Sequence, residues 1–305
     1  MPKIYAIILT LNNYSDTHDC IKSLIKSQFP LANIVVVDNH STDGSIQKLQ
    51  KDFYLEDRVH FILNKNNLGF AKGANIGIHF SLKQGASYIF LINNDAIVDP
   101  LCTELLLKEL NKNPSNGMAG PRIFYHKEPN KIWHSGGYFN RLKTGVIIPE
   151  KNKLNNEVDD KIIKVSFLTG CCMLIKREAF EKVGFFDESY FMYEEDVDFC
   201  FRTIKKGFNI LYVPKAHVWH KISSTLKERT SSFVFYNMSR SRLIFLRKNF
   251  SFFYFLYACL IHFLIYTPYR IIQACRRQEK TWQSILAWMK GTKDGLTIAL
   301  RFSKE

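Results

Sequence analysis

Ile34-Val35-Val36-Val37-Asp38-Asn39-His40-Ser41-Thr42-Asp43-Gly44-Ser45 decides the fold class of this chain. Four β-branched residues in an unbroken row leave no polar face, as expected of a strand buried on both sides. The run stops abruptly at Asp38, and a turn-forming cluster follows it. Asp43 or Ser45 can cap a helix over about residues 44–51. Outward from here the same alternation repeats. Ile4–Leu9, Val59–Leu63 and Tyr88–Ile92 read as strands, and about 16–27 and 71–84 as helices. That β-α-β-α order predicts a parallel sheet with helices on both faces. Ligands of such sheets bind beyond the carboxyl ends of the strands. Polar residues gather at those ends: Thr10 and Asn12, Asp38 and Asn39, Asn64 and Asn66, and Asn93 to Asp95.

With 305 residues, 46% hydrophobic and 23% charged, the chain has the material for a large core without disulfide or metal staples. Disordered, collagen-like and small disulfide-scaffold classes are excluded. The net charge of +14 is unevenly spread. Residues 1–200 hold 23 Lys and Arg against 24 Asp and Glu, whereas residues 201–305 hold 19 against 4. A basic tail of this kind points to nucleic acid, anionic lipid or an anionic substrate. Seven cysteines without Cys-x-x-Cys spacing argue against a zinc ribbon or a secreted disulfide framework. Buried thiols in a reducing, cytoplasmic compartment are expected, which makes the sequons at Asn13 and Asn39 irrelevant. The short apolar run at Ile4–Leu11 has no signal-like cleavage segment after it.

Beyond residue 100 the pattern loosens. A helix is expected near 101–112, then Gly/Pro punctuation, then an exposed polar loop around 150–161. Phe167–Ile175 and Ile210–Val213 have strand composition, and Arg177–Val183 reads as a short helix. No period of 20–50 residues repeats. Asn249–Tyr269 contains one His and no charged residue. Arg240, Arg242, Arg247 and Lys248 precede it; Arg270, Arg276, Arg277 and Lys280 come after it. Its length just reaches that of a spanning helix, but Pro268 and His262 weaken a simple span. An in-plane amphipathic segment and a buried core helix stay open as alternatives. The twenty uncharged residues inside the basic tail argue against a nucleic-acid-binding role.

Several constellations can carry chemistry. The turn after Asp38 either receives a nucleobase or ribose or merely caps a helix. Asn67 to Gly77 spaces its glycines four apart, unlike a Rossmann fingerprint or a P-loop. Gly73 and Gly77 suit close helix packing, while Gly69 suits an approach of backbone to ligand. Asp95 can hold a hard divalent cation, Mg²⁺ or Mn²⁺, that bridges two phosphates. Glu194, Glu195, Asp196 and Asp198 crowd a helix start. Helix electrostatics accounts for some of them, but crowding raises at least one pKa and suits a general base. His217 or His220 could complete a metal site.

Together these residues resemble family 2 glycosyltransferases of the GT-A fold, most like the bacterial rhamnosyltransferase-like members that build cell-surface polysaccharides. The resemblance covers roughly residues 3–248. It implies an α/β fold with a Rossmann-like mixed sheet and a catalytic domain over 1–240 with a nucleotide half (about 1–100) and an acceptor half (about 101–240), while the basic, aromatic composition of 241–305 predicts a helical, membrane-associating tail. Asp38, Asn39 and the turn after them match the family's nucleobase site. Asn67–Gly77, with Gly69, Lys72 and Asn75, matches its glycine-bearing segment. Asn93-Asn94-Asp95 falls where the family carries its Asp-x-Asp metal motif, with Asn in the first place. Glu195-Asp196 resembles the Glu-Asp motif whose Asp is the base, with Asp198 and Arg202 as neighbours. His220, in His-x-x-Ser, falls where relatives supply a metal ligand, and Thr169-Gly170 lies near the acceptor side. The resemblance also implies inverting transfer from a nucleotide-diphosphate sugar, dTDP-rhamnose or alternatively a UDP-hexose or UDP-N-acetylhexosamine. The acceptor implied is a glycan or a polyprenyl-diphosphate-linked glycan, reached at the cytoplasmic face of the membrane. A silent nucleotide- or sugar-binding module would keep Asp38 but need no Glu195-Asp196 pair.

Overall fold

The computed structural model describes residues 2–222, 231–276 and 281–302. Four strands, β1 (Ile4–Thr10), β2 (Asn33–Asp38), β3 (Val59–Leu63) and β4 (Tyr88–Asn93), form the parallel set. Helices α1 (Tyr14–Ile25), α2 (Ser45–Asp52) and α3 (Gly69–Lys83) connect them. In β1, Tyr5 and Ile7 enter one core while Ile4, Ala6 and Ile8 enter the other. Two buried faces explain why this strand has no polar alternation. Gly73 and Gly77 pack as expected: a Cβ on either would overlap Leu9 or the side chains of Ile7 and Val37.

The second half of the sheet is mixed. After β5 (Ala96–Val98) and α4 (Cys102–Asn111) come β6 (Asn116–Tyr125), β7 (Glu128–His134) and a separate hairpin, β8 (Tyr138–Asn140) with β9 (Gly145–Ile147). Next in the chain are β10 (Ile163–Val165), β11 (Cys172–Lys176), α5 (Arg177–Val183), α6 (Glu195–Lys205) and β12 (Asn209–His220). The sheet runs β10-β12-β6-β11-β4-β1-β2-β3, and β11 pairs antiparallel with β4. Three expectations change here. The Gly/Pro-punctuated stretch after 112 is strand, with Pro121 paired to Val213 beside a register shift, where an irregular ladder tolerates a missing donor. The strand expected over Phe167–Ile175 begins only at Cys172, because residues 169–171 turn. The strand expected to stop at Val213 resumes past that bulge and reaches His220. The loop over 150–161 is mostly exposed but anchored. Fully buried Arg122 donates to Asn155, to Asp160 Oδ1 at 2.9 Å and to the Asp159 carbonyl at 2.7 Å.

The tail comprises α7 (Ser231–Asn249), α8 (Phe252–Ile261), a π-helical turn His262–Tyr266, α9 (Thr267–Arg276) and α10 (Thr281–Arg301). The boundary expected at 240 falls inside α7. Leu243, Ile244, Phe245 and Leu246 belong to the same core as the sheet, so α7 is part of the main body. Aromatic rings join it to the β8–β9 hairpin, with Phe139 stacked on Phe250 and edge-on to Phe201 and Phe245. Helix α10 lies close on α7, where a Cβ on Gly291 would sit 2.3 Å from the Tyr236 carbonyl oxygen. Phe252–Arg276 is one helix of 25 residues, long and apolar enough to cross a membrane, and only 17% of its most apolar window is buried. Of the basic flanks expected around it, Arg277 and Lys280 lie outside the described residues.

Candidate active site

A cavity of about 770 Å³ opens at the carboxyl ends of β1 and β4, where the strand order switches direction. One wall comes from the parallel half. Thr10, Asn39, Gly69, Asn93, Asn94 and Asp95 line it. Their polar groups are tied to one another. Asn94 Nδ2 donates to Thr17 Oγ1 at 3.0 Å, and Thr17 Oγ1 lies 2.9 Å from Thr10 Oγ1. Asn39 Nδ2 donates to the Gly69 carbonyl at 2.9 Å, and Asn39 Oδ1 accepts from Asn64 Nδ2 at 2.9 Å.

Four expected donor-side residues stand behind this lining. Asp38 is buried and its carboxylate accepts from the Ser41 N–H at 3.0 Å and from the Ser41 hydroxyl. Asn12 braces the same turn by accepting the Thr42 N–H at 3.0 Å. Asn75 exchanges two hydrogen bonds with the Phe186 backbone, at 2.8 and 3.1 Å. Lys72 is half-exposed, 3.8 Å from Glu188. At Gly69 the close approach is made to protein: its φ is +77°, and a Cβ would sit 2.3 Å from the Phe191 carbonyl oxygen.

The floor holds an ion pair. Strand β12 pairs antiparallel with β5 so that His220 faces Ala96, which brings His220 Nε2 to 3.0 Å from Asp95 Oδ1. Both residues are buried. Burial opposes charge on the imidazole, but Cys171 and Asp95 beside it prevail and push it up to about 10. Once that proton is displaced, the Asp95 carboxylate and the His220 imidazole suit a Mg²⁺ or Mn²⁺ ion that takes its other ligands from phosphate and water. Among the described residues no group of three or more His, Cys, Asp or Glu side chains is placed to hold a metal ion. His217, the other histidine considered, packs against Phe124 and is absent from the cavity lining.

The opposite wall is acidic. Tyr193 and Glu194 both adopt left-handed backbone, at φ 67° and 69°, just before α6. Such strain persists only where the surroundings impose it. It swings the first turn of α6 into the cavity, so that Glu194, Glu195 and Asp196 all line it. Asp196 Oδ2 accepts the Gly170 N–H at 2.8 Å, and Oδ1 accepts the Val197 N–H at 2.8 Å. Burial raises the Asp196 carboxyl despite these donors. Burial pushes Glu194 up to about 7 and Glu195 well above the carboxylate range, with the Asp196 charge adding to both. Glu195 Oε2 is buried without a hydrogen-bond partner. Thr169 and Gly170 line the cavity, while Asp198 and Arg202 do not. Asp198 instead accepts from Arg202 Nε at 2.7 Å and from Asn249 Nδ2 at 2.8 Å, tying α6 to α7.

The sequence holds no signal for the remaining lining. Trp133, Lys151, Phe191, Phe233 and Met238 come from segments whose pairing could not be read locally. Trp133 packs edge-on against His220 at 4.4 Å between ring centroids.

The family model for glycosyl transferase family 2 matches residues 5–184. The hexosyltransferase Agl10 of low-salt glycan biosynthesis in Haloferax volcanii is 28% identical over 203 residues, 65% of this chain and 61% of its own length. The dTDP-rhamnosyl transferase RfbF of Shigella flexneri is 28% identical, over 72% of this chain and 69% of its own. The N-acetylglucosaminyl-diphospho-decaprenol L-rhamnosyltransferase of Mycobacterium tuberculosis is 29% identical, over 72% and 76%. Among solved structures, GalNAc-T7 with UDP, GalNAc and Mn²⁺ superposes with a TM-score of 0.58 at 15% identity, over 72% of this chain and 44% of that one. Staphylococcal TarS superposes with a TM-score of 0.57 at 15% identity, over 97% and 83%. These likenesses establish a GT-A type fold. With the matched segment running through β1–β4 and up to α5, the chain belongs to glycosyl transferase family 2.

Proposed function

We propose that the chain catalyses inverting transfer of a sugar, rhamnose from dTDP-rhamnose, to a hydroxyl of a cell-surface glycan or polyprenyl-diphosphate-linked acceptor. The observation that carries this reading is the convergence of the Asp95–His220 pair and the Asp196 carboxylate on one cavity. Asp95 and His220 would hold a divalent cation, Mg²⁺ or Mn²⁺, whose charge neutralises the departing diphosphate. Thr10, Asn39, Gly69, Asn93 and Asn94 form the donor wall. Asn12, Asp38 and Asn75 position it from behind, and Lys72 supplies a cation at its edge.

Asp196 takes the proton of the acceptor hydroxyl as that oxygen attacks the anomeric carbon. The bond from this carbon to the diphosphate breaks on the opposite face, so a single displacement inverts the centre. Burial strengthens Asp196 as a base. The Gly170 and Val197 N–H groups hold its two oxygens in place. Glu195, pushed well above the carboxylate range, keeps its proton and spares Asp196 a second buried negative charge. Thr169 and Gly170 border the acceptor, and the Asp198–Arg202 pair fixes the helix that carries the base. The rhamnosyl transfer named for the Shigella and Mycobacterium relatives supports the choice of sugar, and the Mycobacterium name supports a lipid-diphosphate acceptor. Attachment to the cytoplasmic face of the membrane is supported by the exposed apolar helix and the basic tail.

A thermal-shift screen of nucleotide sugars with and without Mn²⁺ tests this. The largest stabilisation should come from dTDP-rhamnose with Mn²⁺. A larger shift with a UDP-hexose or UDP-N-acetylhexosamine would replace the donor, and no shift with any nucleotide sugar would sink the reading.

A further inference from the structure

Three tyrosines of the apolar helix point their hydroxyls at three consecutive carbonyls of the β8–β9 turn. Tyr254 donates to the Arg141 carbonyl at 2.8 Å, Tyr257 to the Leu142 carbonyl at 2.7 Å and Tyr266 to the Lys143 carbonyl at 2.9 Å. Gly145 makes room for this, since a Cβ there would sit 2.7 Å from the Tyr266 hydroxyl. Arg242 adds a hydrogen bond to the buried Thr144 hydroxyl and stacks on Tyr266, 3.8 Å from its ring centroid. The turn is therefore fixed to the helix along its whole length. Its tip nonetheless presents Leu142, 77% exposed, between the exposed cations Arg141 and Lys143.

We propose that this turn is a second membrane-inserting element, which dips Leu142 into an anionic lipid bilayer beside the apolar face of the helix. The proposal rests on the reading of that helix as membrane-bound. Phe253, Leu256, Leu260 and Leu264 form its outward stripe at helical spacing, and all are exposed. Two features select lipid over water or a protein surface. A turn facing water needs no protein donors for its carbonyls, because water supplies them. In hydrocarbon every unsatisfied carbonyl is unfavourable, and here the three tyrosines remove that cost in advance. The charge pattern agrees. Residues 138–149 and 249–276 contain no Asp or Glu, while Arg141, Lys143, Arg270 and Arg276 are cationic, as anionic headgroups require. The hairpin also leads toward the active site, since Ile148 and Lys151 just beyond β9 line the cavity. An acceptor held in the bilayer would meet the cavity along this edge.

The test uses the full chain with Cys275, the exposed cysteine, replaced by Ser. An environment-sensitive fluorophore is attached to Leu142→Cys in one variant and to Phe253→Cys in another. Vesicles of phosphatidylglycerol and phosphatidylcholine should shift the emission of both probes to the blue, and pure phosphatidylcholine should do so less. A shift at 253 without one at 142 overturns the inserted turn and leaves the helix reading intact. No shift at either position overturns both, and a blue shift at 142 that appears without lipid as protein concentration rises assigns the face to a second copy. As a second line, Leu142→Asp should weaken vesicle co-sedimentation by about tenfold, the effect of losing one buried leucine contact. Tyr257→Phe should weaken it in the same direction by uncapping the Leu142 carbonyl. Unchanged co-sedimentation of both variants would also refute the proposal.

Discussion

The two walls of the cavity are built from different materials and leave their polar groups in different states. On the β1–β4 side, amides and hydroxyls bind one another, and Asp38 commits its carboxylate to Ser41. On the α6 side, three carboxyls crowd a strained helix start, and burial raises all of them. A wall whose polar groups are tied to one another is rigid and suited to holding a ligand. A crowded acidic wall is costly to fold and suited to moving a proton. The difference teaches where binding and chemistry divide, and it can be broken from either side.

The largest effect should come from Asp196→Asn. Transfer falls by about two orders of magnitude or more in kcat, while calorimetric affinity for the nucleotide diphosphate stays near wild type. Ordinary turnover in this variant would move the base elsewhere. Next, Asp95→Ala should weaken Mn²⁺-dependent binding of a nucleoside diphosphate between about ten- and a hundredfold, and binding of the free nucleoside far less. Equal losses for both ligands would make Asp95 a structural residue. Gly69→Ala attacks the rigid wall itself. Left-handed backbone and the Phe191 carbonyl together should cost about 2 kcal/mol or more, read as a fall in thermal midpoint.

A pH dependence tests the acidic wall on its own. Glu194 ionises near 4.5 in the unfolded chain but near 7 when folded. Its neutral form therefore contributes stability that is complete below about pH 4.5 and is lost as pH rises to 7. Thermal midpoints of Glu194→Gln and wild type should diverge from about pH 5 to about pH 8, with the variant gaining. A gap that stays constant across that range would show that Glu194 titrates normally.

The parallel half was legible because each of its strands is local and apolar, and each ends in a visible polar residue. Thr10, Asn39, Asn93 and Asp95 lie where that pattern implies. The acidic wall was legible by density, since Glu194 to Asp198 exceeds what a helix start needs. The rest depends on long-range pairing. Nothing near His220 says that β12 bends at a bulge and returns to β5, yet this contact sets the Asp95–His220 distance. Asp198 shares the acidic motif but turns from the cavity to Asn249 at the end of α7, and Arg202, one turn on, reaches the Val183 and Phe185 carbonyls. The tail misleads a linear reading most. Its uncharged run flanked by cations suggests a boundary near 240, whereas Leu243–Leu246 are buried in the main core.

Proton NMR of the newly formed glycosidic linkage, made by the full-length protein from the donor that stabilises it most, is the most direct test of the central claim. With Asp196 acting as base and no enzyme nucleophile, as proposed, only a single displacement is allowed. The anomeric configuration of the product should therefore be opposite to that of the donor. Retained configuration would require a second displacement and would contradict the division of labour between the two walls.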